Sequence, residues 1–394
     1  MMVSSFAWDE RYQVAGLEEV LTPALLVYPE AIAKNITMVL NALSGDADRW
    51  RVHIKTAKLG YTLRMLIESG VRHFKCATTL ELRTACEIGA KDVLLAYPMV
   101  GANARRVRGI AEQFPNVRIS ILAENEEQVR QWSGSHIGIF LDINPGMNRT
   151  GIEQGHGAEI VKLAQQARAV GFEFRGLHYY DGQFAGVEER ERTAAAHLGY
   201  DQLLRIVDEL ERSAVNVPEV ITAGTPTLPC SLGYEGFRGE AFVHRVSPGT
   251  IVYGDATSLA QLPREWNLRP AVLVVARVVS RPCAGKITCD AGHKAVSADA
   301  GVPTCVVVGR PELTPLAPSE EHLPMAVQDG AAAPKAGEIL YLLPRHVCPT
   351  VNNFDEALLV RNNAIEKVEE VTARGHEPPL LKRTETQCAS RSAS

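Results

Sequence analysis

The chain has 394 residues, of which 46% are hydrophobic and 22% are charged, and its formal net charge at pH 7 is −5. This composition is typical of a globular protein of roughly two to three domains and excludes a disordered or fibrous chain. Without a basic excess, nucleic acid is a poor partner, and a small-molecule substrate is expected instead.

The sequence also has no recognisable membrane helix, signal peptide or disulfide framework. No apolar run approaches the ~20 residues that a membrane helix needs, and the first ten residues lack the basic and apolar regions of a signal peptide. The eight cysteines do not have the spacing of a disulfide framework. We therefore expect a cytoplasmic protein without membrane association.

From residue 22 to about residue 255, short β-branched runs alternate with helical patterns, which is typical of βα units around a parallel sheet. Helices are predicted over residues 31–43 and 81–89, where apolar residues recur at helical spacing. Strands are predicted over residues 24–28, 51–55, 73–77, 92–97, 118–123, 137–143, 174–180, 219–222 and 245–252. Eight or nine such strands favour an α/β fold with a (β/α)8 TIM-like barrel, although an open doubly wound sheet has similar local patterns.

After Pro263 the pattern changes to short strands separated by turns, which predicts a mostly β second domain. Its predicted strands are residues 272–279, 294–298, 304–308, 338–343 and 357–360. Residues 310–337 are rich in Pro, Ala and Glu and are predicted to form a long surface loop. We thus predict a barrel domain over residues 22–258, a β-rich domain made of residues 1–21 and 259–375, and a flexible tail over residues 376–394.

The second predicted strand carries basic residues that are unusual for the inside of a barrel. Side chains alternate along a strand, so Arg51, His53 and Lys55 point to one face. A lysine at the C-terminal end of a barrel strand lies on the face where such enzymes carry their chemistry, which makes Lys55 a candidate nucleophile. A strand end that faces solvent would have the same pattern, and it stays open whether His53 orients Lys55 or only fills the barrel.

His346 and Cys348 form a candidate metal-binding pair. A spacing of two places both side chains on one face of an extended segment, and imidazole with thiolate is a donor set that zinc favours. No second Cys/His cluster is available to complete a four-ligand structural site, so a bound metal would be catalytic. A buried cysteine beside a surface histidine is the alternative.

Three glycine-containing turns follow predicted strands and could bind an anionic cofactor. One places Arg149 where it could pair with an anionic ring oxygen or a carboxylate. The others contain Gly224 with Thr225 and Gly249 with Thr250, and they resemble the phosphate sites found after the last strands of barrels. Each turn alone is a weak signal, because such turns are common.

Six segments together resemble the D-threonine aldolase and D-serine dehydratase family, and the resemblance spans about residues 22–373. They are RVHIKTAK (51–58), DINPGMNRTG (142–151), GLHYYDG (176–182), AGTPT (223–227), PGT (248–250) and HVCPTVN (346–352). The N-terminal part of this family is similar to the barrel of alanine racemase and binds pyridoxal phosphate. The resemblance therefore implies a pyridoxal-phosphate-dependent lyase that is typically a homodimer.

The resemblance also implies roles for individual residues. It implies that Lys55 forms the Schiff base with pyridoxal phosphate and that Arg149 and Tyr180 lie near the cofactor ring. It implies phosphate contacts from the two glycine turns, so the candidate cofactor-binding residues are Lys55, Arg149, Tyr180, Gly224, Thr225, Gly249 and Thr250. It places a divalent metal, zinc or else manganese or magnesium, on His346 and Cys348. The candidate catalytic residues are Lys55, His53 and Tyr180.

Two departures from the aldolase pattern favour elimination of the β-hydroxyl. Aldolases of the family resemble one another in a His-Cys-Asp segment, whereas this chain has His346-Val347-Cys348, like the D-serine and hydroxyaspartate dehydratases. Aldolases also tend to have a histidine six residues after the tyrosine matched by Tyr180, where this chain has Gly186. We expect a metal-dependent dehydratase acting on a D-β-hydroxy-α-amino acid, with retro-aldol cleavage as the alternative.

Two other classes of protein would share part of this pattern. An amino-acid racemase would keep Lys55 but use a second base, commonly a tyrosine of the second domain, and would not need His346 and Cys348. A non-catalytic protein that binds pyridoxal phosphate resembles a single barrel, so the second domain argues against it.

Overall fold

The computed structural model describes residues 2–169, 171–239 and 241–380. The strands in these ranges are β1 Ala24–Val27, β2 Arg51–His53, β3 His73–Cys76, β4 Asp92–Leu95, β5 Arg118–Ala123, β6 Gly138–Asn144, β7 Ile152–Glu153, β8 Phe174–Tyr179, β9 Glu219–Thr222, β10 Val243–Val246, β11 Val272–Cys283, β12 Lys286–Cys289, β13 Cys305–Val307, β14 Leu313–Pro315, β15 Leu323–Val327, β16 Ile339–Pro344, β17 Glu356–Arg361 and β18 Ala364–Glu370. The α-helices are α1 Pro29–Ala42, α2 Gly60–Glu68, α3 Thr79–Ile88, α4 Gly101–Gln113, α5 Glu126–Arg130, α6 Gly157–Ala169, α7 Glu189–Arg212, α8 Leu228–Leu232, α9 Ala256–Gln261 and α10 Val347–Val351.

The first sheet is a nearly closed parallel barrel. Its strands are ordered β10-β9-β8-β6-β5-β4-β3-β2, and β7 pairs with β6. A parallel bridge between Trp50 and Val246 connects the two ends of this order. The predicted TIM-like barrel is therefore confirmed, and an open doubly wound sheet is excluded because the end strands meet.

The N-terminal end of the barrel interior is filled by an ionic cluster. Arg51 is fully buried and pairs with Asp92 (2.7 Å) and Glu219 (2.7 Å). Arg175 donates to Asp92 (2.8 Å), and Arg245 pairs with Glu219. Because an unpaired buried charge would be strongly destabilising, these interlocking pairs explain how Arg51 can point into the barrel. Above them lies an apolar cluster of Leu94, Leu122, Phe140 and Ile221.

The second sheet corrects the first predicted strand. Residues 24–28 were predicted among the barrel strands, but β1 pairs antiparallel with β11 and parallel with β17. The sheet has the order β14-β15-β12-β11-β1-β17-β18, with β16 paired to β11 and β13. A short apolar strand has the same local pattern in either sheet, so the sequence did not distinguish them. Our division of the chain into domains remains a proposal.

Two further predictions for the second domain were wrong. Residues 294–298 form no strand, and residues 310–337 are not one long loop, because they contain β14 and β15. In β15 the side chains alternate between buried and partly exposed, as expected for a strand. The strand was missed because it contains Pro324, a residue that is rare in strands. Pro315 lies in β14 at the end of the strand order, where a missing N–H is tolerated.

The start of the predicted tail is packed against the barrel domain. Glu377 pairs with Arg106 (2.6 Å) and Arg83 (3.3 Å). Glu377 is therefore held on the barrel domain, and residues 381–394 of the predicted tail lie outside the described part of the chain. Among the described residues, every helix is too short or too polar to cross a membrane.

Candidate active site

Lys55, Arg149 and Tyr180 meet at the C-terminal end of the barrel. Lys55 lies in the turn after β2, Arg149 in the loop after β6, and Tyr180 directly after β8. The Lys55 Nζ atom is 5.8 Å from the centre of the Tyr180 ring, and the Arg149 guanidinium is 5.0 Å from it. The structure therefore brings together three residues that the sequence analysis assigned to the cofactor site.

The two glycine turns lie beside this group. A Cβ atom at Gly224 would lie 3.1 Å from the Tyr180 ring, and one at Gly249 would overlap the His53 carbonyl oxygen, so these positions favour glycine. The backbone N–H of Ile251 donates to Thr225 Oγ1 (3.2 Å), which joins the two turns. In the described residues, no protein acceptor pairs with the backbone N–H groups of Thr225 and Gly249. The turns thus fit a phosphate group.

His53 is buried next to Lys55. Its Nδ1 atom lies 3.1 Å from the Lys75 carbonyl oxygen and 3.4 Å from the Lys55 backbone nitrogen. Burial and the neighbouring ammonium groups of Lys55 and Lys75 lower the pKa of His53 well below its usual value. The ring is therefore neutral at physiological pH, which suits packing and hydrogen bonding; its catalytic role remains a prediction.

Lys75 is a second lysine in the site and was not among the residues predicted from the sequence. Its side chain is almost completely buried, and its Nζ atom lies 5.7 Å from the centre of the Tyr180 ring. Burial and the nearby charge of Lys55 lower the pKa of Lys75 to about 7. The sequence did contain a signal for Lys75, namely a charged residue in the middle of the predicted strand 73–77. Residue 75 pairs with residue 53 on the neighbouring strand, and both side chains point into the barrel.

Lys75 begins a hydrogen-bonded chain that ends in the loop of Arg149. Its Nζ atom lies 3.4 Å from His178 Nε2, and His178 Nδ1 lies 2.7 Å from Asp142 Oδ1. Thr150 Oγ1 donates to Asp142 Oδ2 (2.7 Å). Burial and the charge of Lys75 lower the pKa of His178, so its ring is neutral and donates from Nδ1 to the carboxylate. The chain thus links β3, β8 and β6 to the residue that follows Arg149.

The lowered pKa of Lys75 predicts a specific pH dependence of stability. Between about pH 7 and the ordinary lysine value of 10.5, the folded protein binds fewer protons at this site than the unfolded chain. Raising the pH through this range therefore stabilises the fold, by up to ~1.4 kcal/mol per pH unit from this group. Below about pH 7 the destabilising contribution of Lys75 is constant.

Lys75→Met should lack this contribution. The free energy of unfolding of the wild type and of Lys75→Met would be measured in urea at several pH values above about 7. The variant should be the more stable protein near pH 7, and the difference between the two should become smaller as the pH rises. Parallel pH profiles for the two proteins would contradict the lowered pKa.

His346 and Cys348 meet next to the Lys55 segment. Cys348 is buried, and its Sγ atom lies 2.9 Å from Thr56 Oγ1 and 3.3 Å from Thr250 Oγ1. Thr56 follows Lys55 directly, so the fold places the thiol beside the cofactor site across 292 positions of sequence. Thr250 was predicted to bind the cofactor, and its hydroxyl contacts this thiol.

The local backbone differs from the predicted extended segment. His346 has extended angles, but Val347–Val351 forms the short helix α10. The backbone N–H of Val347 donates to the buried carboxylate of Asp255 (3.1 Å), and Thr350 Oγ1 donates to the His346 carbonyl (2.9 Å). The bond to Asp255 satisfies one of the N–H groups in the first turn of the helix, where intrahelical acceptors are lacking.

The electrostatics of the pair suit a metal ligand set. Burial opposes ionisation of Cys348, but the hydrogen bond from His346 and the charges of His346 and Lys55 lower the pKa of the thiol. Burial also opposes charge on His346, but Cys348 and the carboxylates of Asp299 and Asp255 raise the pKa of the imidazole to about 10. The pair is therefore a thiolate beside an imidazolium, and a divalent metal of the zinc type would take the place of one imidazolium proton. In the described part of the chain, no group of three or more His, Cys, Asp or Glu side chains could enclose a metal.

Family comparisons match both parts of the chain. The family model of the alanine racemase N-terminal domain matches residues 27–257, and that of the putative serine dehydratase domain matches residues 271–360. The first region contains the barrel with Lys55, and the second contains most strands of the second sheet together with His346 and Cys348.

Curated relatives and a solved structure cover nearly the whole chain. A D-threonine aldolase of Arthrobacter sp. is 28% identical over 91% of this chain and 94% of its own length. A 3-hydroxy-D-aspartate aldolase of Paracoccus denitrificans is 28% identical over 91% and 93%. A D-threo-3-hydroxyaspartate dehydratase of Delftia sp. is 21% identical over 84% and 92%. The crystal structure of D-threonine aldolase from Filomicrobium marinum superimposes with a TM-score of 0.82, at 28% identity, over 91% of this chain and 97% of that chain.

Proposed function

Because this chain belongs to the family of the alanine racemase N-terminal domain and is a pyridoxal-phosphate-dependent lyase, we propose that its substrates are D-β-hydroxy-α-amino acids. We propose dehydration as the reaction, with loss of the β-hydroxyl assisted by a divalent metal, zinc in the first place. The observation that carries this proposal is the contact of Cys348 with Thr56 and Thr250, which puts an imidazole and thiolate pair beside Lys55.

The residues of the barrel would hold and orient the cofactor and its bound substrate. When bound, pyridoxal phosphate supplies an electron sink for charge that develops at the substrate Cα, and the metal supplies a Lewis acid. Lys55 Nζ would attach the cofactor and take the α-proton. The backbone N–H groups of Thr225 and Gly249 would donate to its phosphate. Tyr180, with Arg149 over its ring, packs beside Lys55 and limits how the ring of the cofactor can lie.

The residues of the second domain would hold the metal near the substrate Cβ. His346 and Cys348 would supply two protein ligands, and the hydroxyls of Thr56 and Thr250, which contact the thiol, would stabilise the thiolate. A metal held by two protein ligands would remain accessible to the substrate, as in a catalytic site. The chemistry that it would supply is Lewis-acid assistance to loss of the β-hydroxyl.

The choice of dehydration over aldol cleavage rests on the thiolate ligand and on Gly186. Retro-aldol cleavage needs a base at the β-hydroxyl, and the residue six positions after Tyr180 has no side chain that could serve. The similarity to two curated aldolases at 28% identity favours the alternative, in which the metal mainly lowers the pKa of the β-hydroxyl. Both reactions use Lys55, His346 and Cys348.

Product analysis separates the two reactions. Proton NMR of D-threonine and D-3-hydroxyaspartate incubated with protein loaded with zinc and pyridoxal phosphate would identify the products. Dehydration gives 2-oxobutyrate or oxaloacetate together with ammonia, and we expect this outcome. Glycine with acetaldehyde or glyoxylate would instead establish the aldolase reaction. We also propose a homodimer, which light scattering of the same sample would test.

A further inference from the structure

A carboxylate of the second domain contacts the candidate metal ligand His346. Asp299 Oδ2 lies 2.7 Å from His346 Nδ1, and Asp299 Oδ1 accepts a hydrogen bond from Ser297 Oγ (2.9 Å). Ser297 is held in turn, since its backbone N–H donates to Thr350 Oγ1 (3.2 Å) in the helix that carries Cys348. Both oxygens of the Asp299 carboxylate are therefore engaged, and one of them is directed at His346.

This contact determines which nitrogen of the His346 ring can bind a metal. An ionised carboxylate only accepts hydrogen bonds, so Nδ1 must carry the proton that the two groups share. The other nitrogen, Nε2, is then the one that can coordinate a metal, which would displace the proton from it. Metal-binding histidines commonly donate their second ring N–H to a carboxylate, which fixes the orientation and raises the basicity of the ring.

We propose that Asp299 is a positioning residue for the metal site, which acts by holding the His346 ring with Nε2 toward Cys348. The proposal rests on the proposed metal-binding role of His346 and Cys348. Asp299 is not itself a ligand: in the described residues it forms no three-donor group with these two side chains. Its carboxylate is also engaged by Nδ1 and by Ser297.

Other contacts hold the backbone of the ligand segment, so the role of Asp299 is confined to the ring. Asp255 accepts from the Val347 N–H (3.1 Å), and Thr257 Oγ1 donates to the Arg345 carbonyl (2.7 Å). These bonds fix the main chain on both sides of His346. Removing the Asp299 carboxylate would thus free the rotation of the ring without releasing the segment.

The test is the zinc affinity of full-length protein loaded with pyridoxal phosphate, measured by competition with a chromophoric chelator. Asp299→Ala should weaken zinc binding by about 10–100-fold, and Asp299→Asn by less, because its amide oxygen can still accept from Nδ1. The control is Asp355→Asn, which alters an exposed carboxylate whose ion-pair partner is Arg374 (2.8 Å) and not His346. The control should bind zinc as the wild type does, and all variants should unfold at the same temperature without metal.

Saturating zinc should restore turnover in Asp299→Ala, because the two ligands are still present. If the wild type binds zinc and Asp299→Ala binds it with the same affinity, this inference is wrong and the proposed function is unaffected. A loss of more than ~1,000-fold, beyond what outer-shell partners contribute, would make Asp299 a ligand and also overturn it. A wild type that binds no zinc would remove the metal from the proposed function, and the role of Asp299 with it.

Discussion

Lys55→Ala is expected to lose covalently bound pyridoxal phosphate and to reduce turnover by at least ~10³-fold. Lys55 Nζ lies beside the Tyr180 ring, and it would serve both as the attachment point of the cofactor and as the base at Cα. Loss of a positioned base alone costs about 10²–10⁴-fold in rate. The absorbance spectrum of the purified variant and its turnover of D-threonine with zinc present would measure both effects.

Lys75 provides the matched control, because its Nζ atom is about as far from the Tyr180 ring as that of Lys55, 5.7 Å against 5.8 Å. Borohydride reduction of the wild type followed by peptide mapping should place the cofactor on Lys55. Lys75→Met should still bind the cofactor covalently. If the label were instead found on Lys75, or if Lys55→Ala kept the absorbance of the wild type, the assignment of Lys55 would be wrong.

Cys348→Ala is expected to abolish metal-dependent turnover while the absorbance of the bound cofactor is kept. The thiolate is one of two proposed protein ligands, so its removal should weaken zinc binding by more than the ~10–100-fold that an outer-shell partner contributes. Lys55 and the glycine turns are unchanged in this variant, so cofactor binding should persist. Zinc content, spectrum and turnover of the same preparation would be compared with those of His346→Ala, which should behave alike.

Cys283→Ala is the control for this prediction, because Cys283 is an exposed cysteine at the end of β11. Its zinc content and turnover should equal those of the wild type. Full turnover in Cys348→Ala, or in wild type treated with a chelator, would refute the metal assignment. That result would bring back the racemase reaction, which needs Lys55 and a second base but no metal.

The barrel could be predicted because its signal is local. Each βα unit has its own β-branched run and its own helical period, and the observed bounds of β5 and β9 equal the predicted ones. The position of Lys55 was also predictable, because the C-terminal ends of parallel strands share one face of a barrel. The strands β14 and β15 were missed because they are short and contain prolines, so the alternation of apolar and polar residues is not recognisable in them.

The pairings between distant residues depended on the tertiary structure. Local sequence shows that β1 is apolar, but its hydrogen-bonding partners in β11 and β17 are hundreds of positions away. Lys75 meets His178 across 103 positions, and Asp299 meets His346 across 47. Such contacts depend on how the two sheets and their loops pack together. The spacing of apolar residues in a short stretch of sequence contains no information about them.

Five candidate site residues were identifiable from the sequence because their segments resemble those of a known family. They are Lys55, Arg149, Tyr180, His346 and Cys348. Their surroundings were decided by the fold. The neutral state of His53, the lowered pKa of Lys75 and the carboxylate on His346 all depend on burial and on charges brought together from separate strands and loops. The sequence therefore determined which groups are present, and the tertiary structure determined their protonation and orientation, because both depend on distances that only the packed chain defines.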